Sequence, residues 1–282
     1  LGCSIMSTIM TTVIGQSIGI LQSMRIQQAA GLNGNRYATF HQLGKEQAQK
    51  LHEDDRLYDV GDTIFIGRTP FGQRSLSLYL REYHDNALSM YPAIGNVKEG
   101  RLPEEAIEIA LSEDALQYLG LDAVIGDTVS LDLSVSVMDG TLSELEYSAD
   151  FVLTGILESS YIGYASGTVE GIVGEGTAEE LLPEEYLLYS TDFKTYDKQN
   201  FQSIIYALAE DLNVDERYIQ YNWVLLDAIG ISYDEAADSD TGTGFSFMTA
   251  ACILVGVLVL LAAGVVIYNI LKISITKRIK EY

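Results

Sequence analysis

The chain has 282 residues, and 40 acidic side chains against 17 basic ones give it a net charge of −23. That length allows two modest domains, or one domain with membrane anchors. So much negative charge disfavours nucleic acid as a partner, because phosphates are repelled.

The charge is unevenly spread. Residues 1–24 and 245–271 carry none, the tail 272–282 stands at +3, and residues 25–244 hold −26. A solvated domain accounts for the acidic middle; attraction of cationic ligands is the alternative. Because the chain begins at Leu1 and stops at Tyr282 in a charged run, we read it as a fragment of a longer protein. Leu1-Gly2-Cys3 superficially resembles the end of a lipoprotein signal. Both cysteines, Cys3 and Cys252, lie in the uncharged ends, so the middle has no disulfide and no thiolate metal site.

Residues 1–24, LGCSIMSTIMTTVIGQSIGILQSM, are uncharged but rich in Ser, Thr and Gln. Small residues stand four apart at Cys3, Ser7, Thr11, Gly15, Gly19 and Ser23. That spacing lets helix backbones approach closely in lipid. A period of four drifts around a helix of ~3.6 residues per turn, so the stripe suits a crossing contact. We expect transmembrane helix 1 over 1–24, truncated at its start, with Gly15 and Gly19 as helix-packing positions. A polar helix outside the membrane is the alternative.

In the acidic section, residues 41–52 read as an exposed helix. RSLSLYLR (74–81) alternates, with Leu76, Leu78 and Leu80 on one face. IEIAL (107–111) reads as a short buried strand after a turn at Gly100 and Pro103. Ser112 caps the next helix, with Glu113 and Asp114 at its positive end. Gly120 can end that helix in the left-handed conformation. Gly126-Asp127 then turns the chain into TVSLDLSVSV (128–137), a strand with one face buried and one solvated. Further strands are expected at 146–158 and 186–191, and a mobile glycine-rich loop at 160–183. In 201–212, Phe201, Ile204, Ile205, Leu208 and Leu212 form one helical stripe. The interspersed elements predict an α+β domain. Residues 232–244 read as a linker.

Residues 245–271 hold 27 positions without an ionisable charge, enough to cross a hydrocarbon core of roughly 30 Å as transmembrane helix 2. Asp234, Glu235, Asp238 and Asp240 precede it; Lys272, Lys277, Arg278 and Lys280 follow it. Basic flanks stay in the cytoplasm. We therefore expect 272–282 to begin a cytoplasmic loop and 25–244 to be extracytoplasmic.

Motifs for chemistry are missing. His41, His52 and His84 have no metal-ligand spacing, and His52-Glu53-Asp54-Asp55 reads as a solvated charge run. Gly171, Gly174 and Gly176 make no dinucleotide loop, and there is no Walker A or Gly-x-Ser-x-Gly sequence. We expect no catalytic, cofactor-binding or metal-binding residue.

The stretch EGRLP…EIALSEDAL…LGL…GDTV resembles the periplasmic core domain of MacB/FtsX-like ABC transporter permeases. The matching positions are Gly100, Arg101, Leu102, Pro103, Glu108, Ile109, Ala110, Leu111, Ser112, Leu119, Gly120, Gly126 and Asp127. DFVLTGILE (150–158) looks like the family's following strand. QSMRIQQAAGLNGNRYATF looks like the exit from a first helix. IYNILKISITKRIKEY resembles the exit of the second, through Ser274, Arg278, Lys280 and Glu281, although Lys277 stands where the family often has an acid. The resemblance implies a bacterial multi-pass permease subunit whose ATPase is a separate cytoplasmic partner, so that the chain itself is not an enzyme. It implies pairing with a second permease copy or paralogue, contact with membrane lipid, and export or mechanical transmission. The tail residues Lys277, Arg278, Lys280 and Tyr282 are a candidate ATPase-coupling surface. Two other classes remain open: a two-span sensor or adaptor with an extracellular ligand-binding domain, and an extracellular enzyme on membrane anchors.

Overall fold

The structure is a computed structural model that describes residues 2–72, 76–139, 141–159, 167–231, 233, 256–268 and 272. The chain divides into two units, Leu1–Asp234 and Glu235–Tyr282.

In the second unit, residues 256–268 are helical. Val257, Leu258, Leu260, Leu261, Val265, Val266, Ile267 and Tyr268 on it are exposed. Among the described residues, no helix is long and apolar enough to cross a membrane. Much of the expected second span, 245–271, lies outside the described residues, as do all of the linker 232–244 but residue 233 and the tail residues Lys277, Arg278, Lys280 and Tyr282.

The first unit begins with α1 (Gly2–Asn33), which runs nine residues past the expected boundary at 24. The extension has a packing cause. Ala29 is buried and Ile26 lies against the core, so the last turns of the helix belong to the domain. Gly34 then stops it at φ +83°.

The chain continues through β1 (Ala38–Leu43), α2 (Lys45–His52), β2 (Leu57–Pro70), β3 (Ser77–Tyr83), β4 (Val97–Gly100) and β5 (Glu108–Ser112). It goes on through α3 (Glu113–Leu119), β6 (Thr128–Asp139), β7 (Thr141–Leu157), β8 (Thr168–Val173) and α4 (Thr177–Leu181). It ends with β9 (Tyr189–Thr195), α5 (Phe201–Leu212), β10 (Ile219–Tyr221) and α6 (Trp223–Ile229). All ten strands join one sheet in the order β10-β1-β9-β2-β3-β8-β5-β7-β4, while β6 pairs with both β7 and β2. The pair Arg68 with Ser134 closes a ring through β2, β3, β8, β5, β7 and β6. Among the described residues, only β3 with β8 and β5 with β7 run parallel. This is the expected mixture of strands and helices.

The alternation of 128–137 emerges as predicted: Val129, Leu131, Leu133 and Val135 are buried, while Ser130, Asp132 and Ser136 are exposed. On α5, Phe201, Ile205, Leu208 and Leu212 are buried and Ile204 half-buried.

Three expectations need correction. Residues 41–43 are strand, because Leu43 is buried and pairs with Tyr189 of β9; the helix starts at Lys45. The supposed loop 160–183 contains β8 and α4, and residues 160–166 lie outside the described residues. Gly171 sits in β8 because a Cβ there would come within 2.6 Å of Leu80 and 2.7 Å of Leu111. That glycine serves close packing, and it is what made the segment look like a loop. The strand expected at 186–191 is shifted to Tyr189–Thr195.

Candidate functional site

The first place where structure and function meet is the junction of α1 with α6. The two helices pack together. Arg25, eight residues before the end of α1, reaches Asp227 at 3.3 Å, and Asn222 at the start of α6 holds the chain just beyond the end of α1. The helices therefore run antiparallel, and the domain's entry and exit lie side by side.

Asn222 is the buried pin of this junction. Its Nδ2 donates to the Gly34 carbonyl at 2.8 Å and the Arg36 carbonyl at 2.9 Å. Its backbone N–H donates to Tyr37 at 3.0 Å, and its Oδ1 caps α6 by accepting from Leu225 N–H. Next to it, Arg36 forms a 2.9 Å ion pair with Asp192 and also bonds Thr39 and the Asn33 carbonyl. Asp192 accepts from Thr39 and from the Tyr91 hydroxyl, the latter at 2.6 Å. Burial pushes the Asp192 carboxyl up from its ordinary value against the pull of Arg36. A buried network this well satisfied fixes the helix exit to β1 and β9.

The second place is the stretch from Gly100 to Val129. Gly100 has φ +80°, and a Cβ on it would lie 2.3 Å from the Thr154 carbonyl. Arg101 donates its N–H to that same carbonyl at 3.0 Å. Its guanidinium forks onto both oxygens of Glu108, with Nη1 to Oε2 at 2.8 Å. Glu108 also accepts from the N–H groups of Glu104 and Glu105, at 2.9 and 3.2 Å. Arg101, with these bonds, holds the Glu108 carboxyl down at about 2. Ser112 caps α3 by accepting from Ala115 N–H, and Gly120 ends it at φ +72°. Asp127 accepts from Val124 N–H at 3.0 Å and closes the turn into β6. Each punctuating residue expected from the sequence therefore does its structural task.

The Glu108 arrangement has a measurable pH signature. Its folded-state pKa lies below the ordinary value of 4.5, so its stabilisation is present above pH 4.5 and lost as pH falls through about 2. The urea midpoint of the wild-type chain should fall between pH 5 and pH 2.5 by more than that of Glu108→Gln. Equal falls would remove Glu108 as a contributor.

The remaining predicted positions are scattered. Gly15 and Gly19 lie on α1, and a Cβ on either would meet nothing within 4 Å. Of the histidines, His41 is tied to Ser190 and Gln220, and burial lowers its pKa. His84 lies 2.8 Å from Glu82, whose carboxylate accepts from the Gly176 and Ala178 N–H groups at the start of α4. In the run after His52, Asp54 is engaged by Arg56. His52 instead turns toward Asp62 at 2.9 Å and Asp85 at 3.8 Å. The hydrogen bond to Asp62 raises the imidazole above its ordinary pKa. Sequence spacing missed this group, since its members are ten and 23 positions apart and come from three elements.

No protein-family model and no curated protein matches the sequence. Solved structures are similar in fold. The fold is similar to the periplasmic region of MacB from Actinobacillus actinomycetemcomitans, with a TM-score of 0.44 and 14% identity, over 72% of this chain and 95% of that one. It is also similar to the extracellular domain of the noncanonic ABC-type transporter YknZ from Gram-positive bacteria, with a TM-score of 0.43 and 12% identity, over 66% of this chain and 99% of that one. At 12–14% identity both likenesses concern the fold, that of the periplasmic or extracellular domains of these two transporters.

Proposed function

We propose that this chain is part of a permease subunit of an FtsX/MacB-type ABC transporter in a bacterial cell membrane. A cytoplasmic ATPase moves the membrane helices, and the acidic domain carries that motion outside, for export or for mechanical control of a partner. Hydrolysis belongs to the ATPase, and a second permease copy or paralogue completes the assembly.

The observation that carries this reading is the α1–α6 junction. A domain inserted between two membrane helices needs its entry and exit side by side, and Arg25 with Asp227 puts them there. The helix α1 is unbroken over 32 residues, about 48 Å at ~1.5 Å per residue. Gly34 breaks the backbone after it, but the Arg36 guanidinium bonds back to the Asn33 carbonyl, so a shift along the axis is passed to the Arg36–Asp192 network through that bond. Ile18, Ile20, Leu21 and Met24 are all exposed on it, as are most of the apolar residues of 256–268. Such exposed apolar surface favours lipid or another helix as its surroundings. Gly15 and Gly19 then offer open faces for a packing helix.

The test is association with an ATPase. The full-length protein, solubilised from its native membrane in mild detergent, should co-purify with an ATP-binding-cassette subunit. Lys277→Gln with Arg278→Gln, inserted at normal abundance, should lower stimulated ATP hydrolysis severalfold. Full stimulation in that variant would leave the basic cluster as a lipid anchor alone. If no ATPase co-purifies, the two-span sensor takes the permease's place.

A further inference from the structure

We propose that His52, Asp62 and Asp85 form a binding site for a divalent metal ion of zinc's coordination preference. The inference stands apart from the permease reading. One nitrogen of His52 and one carboxylate oxygen from each aspartate lie within 4.8 Å of one another. Bonds of ~2.0–2.2 Å place ligand atoms of one metal roughly 3–4 Å apart. His52 Nε2 and Asp62 Oδ2 lie 2.9 Å apart in a hydrogen bond that an ion would replace, the two atoms opening slightly around it. Asp85 Oδ2 rests 3.8 Å from the ring's other nitrogen, Nδ1, and its side chain, 62% exposed, must rotate to share one nitrogen of His52 with Asp62.

The site is built rather than accidental. Asp62 is buried in β2, and its Oδ1 accepts from the Thr191 hydroxyl at 2.5 Å, so Oδ2 is left facing His52. A bond from a neighbouring side chain is how metal-binding carboxylates are commonly oriented. Asp85 is held on the other side by the backbone. His84 N–H donates to the Asp62 carbonyl at 2.9 Å, which fixes the turn after β3 against β2. Gly61 allows that contact, since a Cβ there would lie 2.2 Å from Ala87 N. His52 comes from the last turn of α2. One ion would thus tie together a helix end, a strand and a turn.

The donor set selects the metal. Calcium and magnesium take oxygen ligands almost alone, and an imidazole counts against them. Without a thiolate or thioether, copper(I) is disfavoured. One imidazole and two carboxylates, with an open position for water, suit zinc. The acidic surroundings of this section favour any cation, which is why the test must separate coordination from general attraction.

The experiment uses the full 282-residue chain, without a polyhistidine tag, in mild detergent at pH 7.5 after chelator treatment. Zinc chloride at roughly a hundred times its Kd should raise the midpoint of thermal unfolding by roughly 5 °C or more. The rise should be absent in both His52→Gln and Asp85→Asn. It should persist in His41→Gln, and calcium chloride at the same concentration should not reproduce it. The exposure of Asp85 makes Asp85→Asn safe for folding, and circular dichroism of the metal-free variants confirms this. No rise in the wild type, an equal rise in the two site variants, or an equal rise with calcium would each overturn the proposal.

Discussion

Asn222→Asp should unfold the domain at a lower denaturant concentration than Asn222→Ala, although aspartate matches asparagine in shape. The reason lies in which atoms face which. Nδ2 points at two carbonyl oxygens, those of Gly34 and Arg36, in a site where the residue is 2% exposed. Alanine removes the donor and the cap, leaving two buried carbonyls and the Leu225 N–H without a side-chain partner. That costs about 2–4 kcal/mol. Aspartate replaces the donor with an acceptor, so oxygen faces oxygen and a charge enters a buried site. The midpoint in urea, followed by circular dichroism, ranks the three chains. An aspartate variant as stable as wild type would mean that the pin does not hold the junction. A further consequence follows if the domain is driven through α1: at a temperature where Asn222→Ala is still folded, its transport-linked activity should already be reduced.

Gly155→Ala should cost about 3 kcal/mol, much more than Gly120→Ala. At Gly155 an added Cβ would lie 2.2 Å from the Arg101 carbonyl oxygen, a backbone atom with little room to move. Relief requires shifting the Arg101 turn, which strains the bond from Arg101 N–H to Thr154 and the fork onto Glu108. At Gly120 an added Cβ meets nothing within 4 Å, and only the left-handed backbone at φ +72° resists. That resistance is about 1 kcal/mol. Thermal unfolding of the two variants separates a close backbone crossing from a conformational preference. Equal losses would show that the two backbones yield to each other.

Much of this geometry was legible in the sequence where one physical rule dominated. Alternation wrote β6, since one of its faces is solvated. Capping and glycine wrote α3 and its borders. Elements buried on both faces were not legible. β2 carries buried residues on successive positions, and its register shifts between Tyr58 and Gly61 and again between Phe65 and Gly67. Two bulges erase a period of two. β8 hid behind its glycines, which are there for close packing. The end of α1 hid because Arg25, polar by type, meets α6 through Asp227, which a hydrophobic pattern does not mark. The functional side chains were the least legible. Nothing local marks Asn222 as the partner of Gly34, or Asp62 as the partner of His52, because only the sheet brings them together. The Arg101–Glu108 pair was within reach, since both residues stood in the recognised motif.

The central claim is that the acidic domain lies outside the membrane, between two crossing segments. It is tested most directly by labelling whole cells. Both native cysteines are first replaced, by Cys3→Ser and Cys252→Ser, and a single cysteine is then placed by Ser239→Cys or by Ser274→Cys. With an impermeant maleimide, the cysteine at 239 should react on intact cells, and the one at 274 should react only after the membrane is opened. Reversed labelling, or equal reaction at both positions on intact cells, would contradict the account.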